Sequence, residues 1–273
     1  MRLPFLPIVY FAAVGLAAAA TPPLETNLVE VGGNSLEVAR TGAGAPAVVF
    51  LHGGGSASIT SWQKVLGKFD VTSIAYARAG YGRSTMVDGE RTPAKVAAEL
   101  RGLLDKLAVP PPYVVVGASL GGIYARVFAM QYPAEVAGLV LVDPTHEEWR
   151  LLTKRVGGEA SPPPKKKKGG GGVGAGAELK GMENIFATGR LDVGGRLPDV
   201  PLAILTSTTD GNADVARGLR DLHAQIAGSV SHSLHLTTNR SGHAIANQRP
   251  DLVEDAIKWV IHASREPRPA AKR

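Results

Sequence analysis

Val116-Gly117-Ala118-Ser119-Leu120-Gly121-Gly122 is the stretch from which the rest of the chain can be placed. It follows a β-branched run, Tyr113 to Val116, and precedes a helix-compatible segment, Leu120 to Gln131. Gly-x-Ser-x-Gly between a strand and a helix has the form of a nucleophile elbow. A serine on so sharp a turn takes a strained backbone conformation that pushes its Oγ out above the sheet. Side chains at the flanking positions would collide with neighbouring backbone, which explains glycine at 117 and 121. The turn also leaves the Leu120 amide at a helix N-terminus, where it can face a developing oxyanion.

Length and composition set the frame. The chain has 273 residues, enough for one sizeable α/β domain. It contains no cysteine, which excludes disulfides, thiolate metal sites and a cysteine nucleophile. The formal charge of +6 draws on Lys165 to Lys168 and on Arg265, Arg268, Lys272 and Arg273. Those residues fall in expected loops, so the charge gives no folded basic face and no nucleic-acid partner is expected.

Residues 1–20 read as a secretory signal peptide. Arg2 supplies a positive start, Phe5 to Ala19 is apolar, and Ala18-Ala19-Ala20 offers a small-residue cleavage site. The apolar run falls short of the roughly 20 residues of a membrane span. The expectation is therefore a secreted or periplasmic protein without a stable membrane span after cleavage, with an N-terminal anchor as the alternative. Residues 21–273 then form a single domain.

Along that domain strands alternate with helices. Leu28 to Val31 and Ser35 to Arg40 flank Gly32-Gly33-Asn34 as a hairpin. Ala47 to Leu51 is a continuous apolar strand, as expected when both faces of a parallel sheet are covered. Strands at Val71 to Ala75, Tyr113 to Val116, Gly138 to Val142, Leu202 to Thr206 and His232 to Thr237 are separated by helical segments. The pattern implies a three-layer α/β/α sandwich on a mostly parallel, doubly wound sheet. From about residue 145 to 198 the rhythm breaks. Pro162 to Gly176, which holds the four lysines and a run of glycines, reads as a flexible loop. Its shoulders, Glu147 to Val156 and Leu179 to Ala187, read as short lid helices.

A serine needs a base, and the base needs an orienting group. His243, in the loop Ser241-Gly242-His243-Ala244 before the last helix, is the candidate base, with His146 as its rival. Two acids stand at strand ends, Asp210 and Asp143, and either preserves the chain order Ser, acid, His. His52-Gly53-Gly54-Gly55 follows a buried strand and can bring backbone close to a substrate carbonyl. Gly54 is the candidate second oxyanion donor beside Leu120, with Gly53 as a further option.

These residues resemble the α/β-hydrolase superfamily from about Asn27 to Ala263. The likeness is carried by His52-Gly53-Gly54-Gly55, Arg78-x-Gly80-x-Gly82-x-Ser84, Gly117-x-Ser119-x-Gly121 and Ser241-Gly242-His243. The resemblance implies an eight-stranded sheet, a Ser–His–acid triad and no cofactor or metal. In many members the acid stands nine residues after a proline opening the seventh strand, a spacing that Pro201 and Asp210 reproduce. That favours Asp210, although the usual Gly-x-x-Asp approach is replaced by Ser207-Thr208-Thr209, which keeps Asp143 in play. The expected activity is hydrolysis of a small-molecule carboxylic ester or related acyl bond through an acyl-enzyme on Ser119. A cofactor-free lyase or perhydrolase on the same triad, and a non-catalytic exported binding protein, are the alternatives.

Overall fold

Eight strands form one sheet in the order β1-β2-β4-β3-β5-β6-β7-β8. They are β1 (Asn27–Val31), β2 (Asn34–Thr41), β3 (Ala47–Leu51), β4 (Ser73–Tyr76), β5 (Tyr113–Ala118), β6 (Val136–Val142), β7 (Leu202–Ser207) and β8 (Ser233–Thr238). The computed structural model describes residues 24–55, 57–86, 88–157, 172–191, 193–209 and 212–266. The signal-peptide reading, the tetralysine and Asp210 lie outside them. The β1–β2 hairpin turns through Gly32 and Gly33, both at positive φ, and β2 joins β4 antiparallel. The remaining neighbours are parallel.

Among the described residues seven α-helices accompany the sheet: α1 (Pro93–Lys106), α2 (Leu120–Gln131), α3 (Trp149–Arg155), α4 (Gly172–Thr188), α5 (Ala213–Ala227), α6 (Ile245–Gln248) and α7 (Pro250–Arg265). The period-two alternation of the strands divides the core. Val49, Leu51, Val115, Leu139 and Ile204 face α1, α2 and α5, whereas Val48, Phe50, Val116, Val140 and Leu205 face α7. All five residues of β3 are buried, as its unbroken apolar sequence requires. Thr92 caps α1 by accepting from the Lys95 N–H, and Pro93 fills its first turn.

Two elements differ from the sequence expectation. Ser61 to Phe69, whose sequence reads as a short helix, overlaps only the end of a 3₁₀ turn, Ile59–Trp62. The glycine-rich loop ends earlier than composition suggests, because α4 begins at Gly172 rather than near Leu179. Tertiary docking overrides the poor helix propensity of glycine there. Trp149 of α3 meets Phe186 of α4 edge-on, with ring centroids 6.2 Å apart. Among the described residues no helix is long and apolar enough to cross a membrane.

A buried polar chain runs beneath the end of β6. His223 of α5 donates from Nε2 to the Pro144 carbonyl at 2.8 Å. That fixes its tautomer, so Nδ1 accepts from the Thr206 hydroxyl at 2.9 Å, and Thr206 in turn accepts from His235 Nε2 at 2.9 Å. Burial above all pushes His223 down to about 4, against the pull of the Pro144 carbonyl and Asp143. His146 is likewise pushed to about 4, mainly by burial. A histidine held neutral in the fold stabilises it above the unfolded value of 6.5 and loses that contribution as pH falls towards 4. For His223 the full effect is roughly 3 kcal/mol. The urea midpoint is therefore expected to fall from about pH 7 to about pH 4.5, and to fall less steeply in His223→Gln. A midpoint that stays level in the native protein would refute the neutral imidazole.

Candidate active site

Between the last residue of β5, Ala118, and the first of α2, Leu120, Ser119 alone makes the turn. Its φ of 51° and ψ of −122° are rare for a residue with a side chain. The conformation is held from three sides. The Ser119 N–H donates to the Val142 carbonyl at 3.1 Å, and its own carbonyl accepts from Gly122 and Thr145, each at 2.9 Å. A Cβ at 117 would run into the backbone of Gly121 and Gly122, and one at 121 into the carbonyls of Leu51 and His52. Glycine is required at both positions, as the sequence suggested.

His243 lies in the loop between β8 and α6. Its Nε2 is 2.8 Å from Ser119 Oγ, and its Nδ1 is 2.6 Å from Asp143 Oδ2. An ionised carboxylate only accepts, so Nδ1 carries the proton and donates to Asp143, leaving the Nε2 lone pair for the Ser119 hydroxyl. The His243 side chain is 56% exposed and that of Asp143 only 12%. The imidazole is thus open to an incoming molecule while its acid partner is covered.

The acid on His243 is the alternative candidate. Asp143 follows β6 directly, at φ 43°. Its N–H donates to the Leu205 carbonyl at 2.7 Å, and its Oδ1 accepts from the Ser207 N–H at 2.9 Å, which turns Oδ2 towards His243. Asp210, favoured on spacing, lies outside the described residues. The end of β7 instead holds the histidine loop: the Ser207 and Thr209 hydroxyls both donate to the Ser241 carbonyl, at 2.8 and 2.9 Å. His146, the rival base, is buried, and its Nδ1 accepts from the Glu148 N–H at 3.1 Å. It sits beside the ion pair of Arg126 with Glu147.

The loop after β3 passes across the elbow. A Cβ on Gly53 would lie 3.2 Å from Ser119 Cβ, and one on Gly54 would lie 3.2 Å from Leu120 Cδ2. The backbone of both candidate loop donors is therefore packed against the turn that carries the Leu120 amide. His52 is fully buried, donates from Nδ1 to the Gly53 carbonyl at 2.7 Å and accepts at Nε2 from the Arg78 N–H at 3.3 Å. Burial, then the Arg78 charge, holds its pKa well below the usual imidazole range.

Three further residues reach the site without having been singled out for it. Thr145 Oγ1 stands 3.5 Å from Ser119 Oγ. Arg78 and Glu178 form a fully buried ion pair, Nε to Oε1 at 2.5 Å, behind the glycine loop. Arg78 belongs to a visible motif, but its partner comes from a glycine-rich segment in which no motif marks it. Among the described residues no group of three or more His, Cys, Asp or Glu side chains could hold a metal ion.

Residues 46–158 match the family model described as alpha/beta hydrolase fold. The uncharacterized protein YqjL of Bacillus subtilis is 26% identical over 224 residues, which cover 80% of this chain and 84% of that one. Esterase Rv0045c of Mycobacterium tuberculosis is 38% identical over 130 residues, covering 47% of this chain and 42% of that protein, less than half its length. A thermophilic esterase from Thermogutta terrifontis shares the fold with a TM-score of 0.63 at 19% identity, over 89% of this chain and 100% of that one. Residues 46–158, from β3 through α3, match the α/β-hydrolase superfamily by sequence, and the eight-stranded sheet with its helices has the α/β-hydrolase fold over most of the chain.

Proposed function

We propose that the protein is a serine hydrolase that cleaves small-molecule carboxylic esters through an acyl-enzyme on Ser119. The observation that carries this reading is the relay from Ser119 Oγ to His243 Nε2 at 2.8 Å and from His243 Nδ1 to Asp143 Oδ2 at 2.6 Å. His243 takes the hydroxyl proton as Oγ attacks the ester carbonyl, then gives it to the leaving alcohol. Asp143 holds the imidazole in the required tautomer and stabilises the imidazolium. The Leu120 and Gly54 amides, with Gly53 as the further option, face the oxyanion, each worth about 3–4 kcal/mol. Water then enters by the same base and releases the acid. Esters are favoured over other acyl bonds because the relative from Mycobacterium tuberculosis and the structural neighbour from Thermogutta terrifontis are both named as esterases.

A fluorophosphonate probe is expected to label the native protein and to fail on Ser119→Ala. A folded native protein that resists the probe would instead support a binding role. Among p-nitrophenyl esters of increasing acyl length, turnover should peak at one length and reveal the size of the acyl site. Asp143→Asn is expected to lower kcat by about 10³–10⁴-fold, because the amide no longer fixes the imidazole tautomer. Asp210→Asn should leave kcat close to native. The opposite ranking would transfer the acid's role to Asp210.

A further inference from the structure

The buried charges behind the glycine loop have no part in proton transfer, yet they grip its backbone. Arg78 and Glu178 are both 0% exposed. The guanidinium donates twice to Glu178, from Nε to Oε1 at 2.5 Å and from Nη2 to Oε2 at 3.0 Å. Its remaining bonds go to successive main-chain carbonyls, Nη1 to His52 at 2.5 Å and Nη2 to Gly53 at 2.9 Å. The Tyr81 hydroxyl adds a bond to Glu178 Oε2 at 2.6 Å, and the Tyr81 and Tyr124 rings lie 5.0 and 4.8 Å from the guanidinium carbon.

The consequence follows from peptide geometry. In a trans peptide the C=O and N–H point in opposite directions. Drawing the His52 and Gly53 carbonyls towards Arg78 turns the Gly53 and Gly54 N–H groups away from it. Gly53 and Gly54 lie against Ser119 and Leu120. We infer that Arg78 is a positioning residue that aims the loop amides into the oxyanion site, and that Glu178, from the insertion between β6 and β7, keeps it there. The inference rests on the serine-hydrolase reading and adds to it a coupling between the inserted helix and the oxyanion loop.

The docking of α4 fits this role. A Cβ at Gly174 would strike the Gly80 carbonyl, and one at Gly181 the Arg91 carbonyl, so both glycines let the helix approach closely. The Arg91 N–H donates to the Ala177 carbonyl at 3.0 Å, one residue before Glu178. Burial disfavours the Arg78 charge, but Glu178 more than offsets that and holds the guanidinium protonated.

The test separates aim from stability. Arg78→Met combined with Glu178→Gln removes both charges together, so no charge is left buried without a partner, and the amide can still accept from Tyr81. Active sites are counted by fluorophosphonate titration, kcat and KM are measured on p-nitrophenyl butyrate, and affinity is measured for an alkyl trifluoromethyl ketone, whose hemiketal oxyanion needs the amides. The expected result is a kcat per active site lower by about 10- to 100-fold, ketone binding weakened in parallel, and KM nearly unchanged. Native kcat and ketone affinity per active site would overturn the inference, even with a lowered Tm. Should the double variant not fold, Glu178→Asp, which retracts the carboxylate by one methylene, is read by the same two quantities. A native protein that the probe does not label would defeat the hydrolase reading itself, whereas a labelled native protein with unaffected variants defeats only the positioning role.

Discussion

The strained turn at Ser119 is the constraint that the rest of the molecule serves. Such a conformation costs about 1–3 kcal/mol and persists only where its surroundings leave no alternative. Here β5 is bonded along its length to β3 on one side and β6 on the other. Helix α2 leaves the turn almost wholly buried. Relaxing Ser119 would mean pulling the central strand out of register or lifting α2 from the core, and either loses far more than it gains. The strand order then delivers the remaining parts to the same edge. The glycine loop arrives from β3, next to β5 on one side, and Asp143 from β6 on the other.

Asp143 is a second residue at positive φ, one strand away from the first. The two turns are tied together by the bonds from Ser119 N–H to Val142 and from Thr145 N–H to Ser119. Moving Asp143 would therefore disturb Ser119. Beneath them, the ordered donors from His235 through Thr206 and His223 end on the Pro144 carbonyl, immediately after Asp143. This chain supports the backbone beside Asp143 through neutral hydrogen-bonding groups.

The alternation of apolar strands with helices made the sheet legible, and the elbow, His243 and the glycine loop could be read from local residues. Their requirements are local: a turn with no room for side chains, a loop that approaches closely. The choice between Asp143 and Asp210 was not local. Counting from Pro201 measures distance along the chain, whereas the bond to His243 depends on which strand end faces its loop. Ser207-Thr208-Thr209, in place of the usual glycine approach to Asp210, kept Asp143 in play. Glu178 left a fainter trace. It occupies a buried position in the stripe Ala175, Glu178, Met182 and Ile185, where helical spacing calls for an apolar residue. An acid there signals a buried cation across the interface, but only if the segment is first recognised as a helix, and its glycines argued against that.

Stability alone does not account for a charged pair at that position. Replacing a buried ion pair by apolar residues of similar volume is often neutral or stabilising, because desolvation consumes most of the Coulomb attraction. What an apolar pair cannot supply is direction. A guanidinium presents five N–H groups in a rigid plane, and in Arg78 that plane divides its bonds between one carboxylate and two consecutive carbonyls. A lysine would offer a point charge with no fixed plane, and a methionine would fill the space and leave both carbonyls free to turn. On the proposed reading, in which the loop amides are set before an oxyanion forms, a fixed plane behind them has a use that packing does not. The charge of that plane must be matched from across the interface, which ties a helix from an otherwise lysine- and glycine-rich insertion to the chemistry at the strand ends.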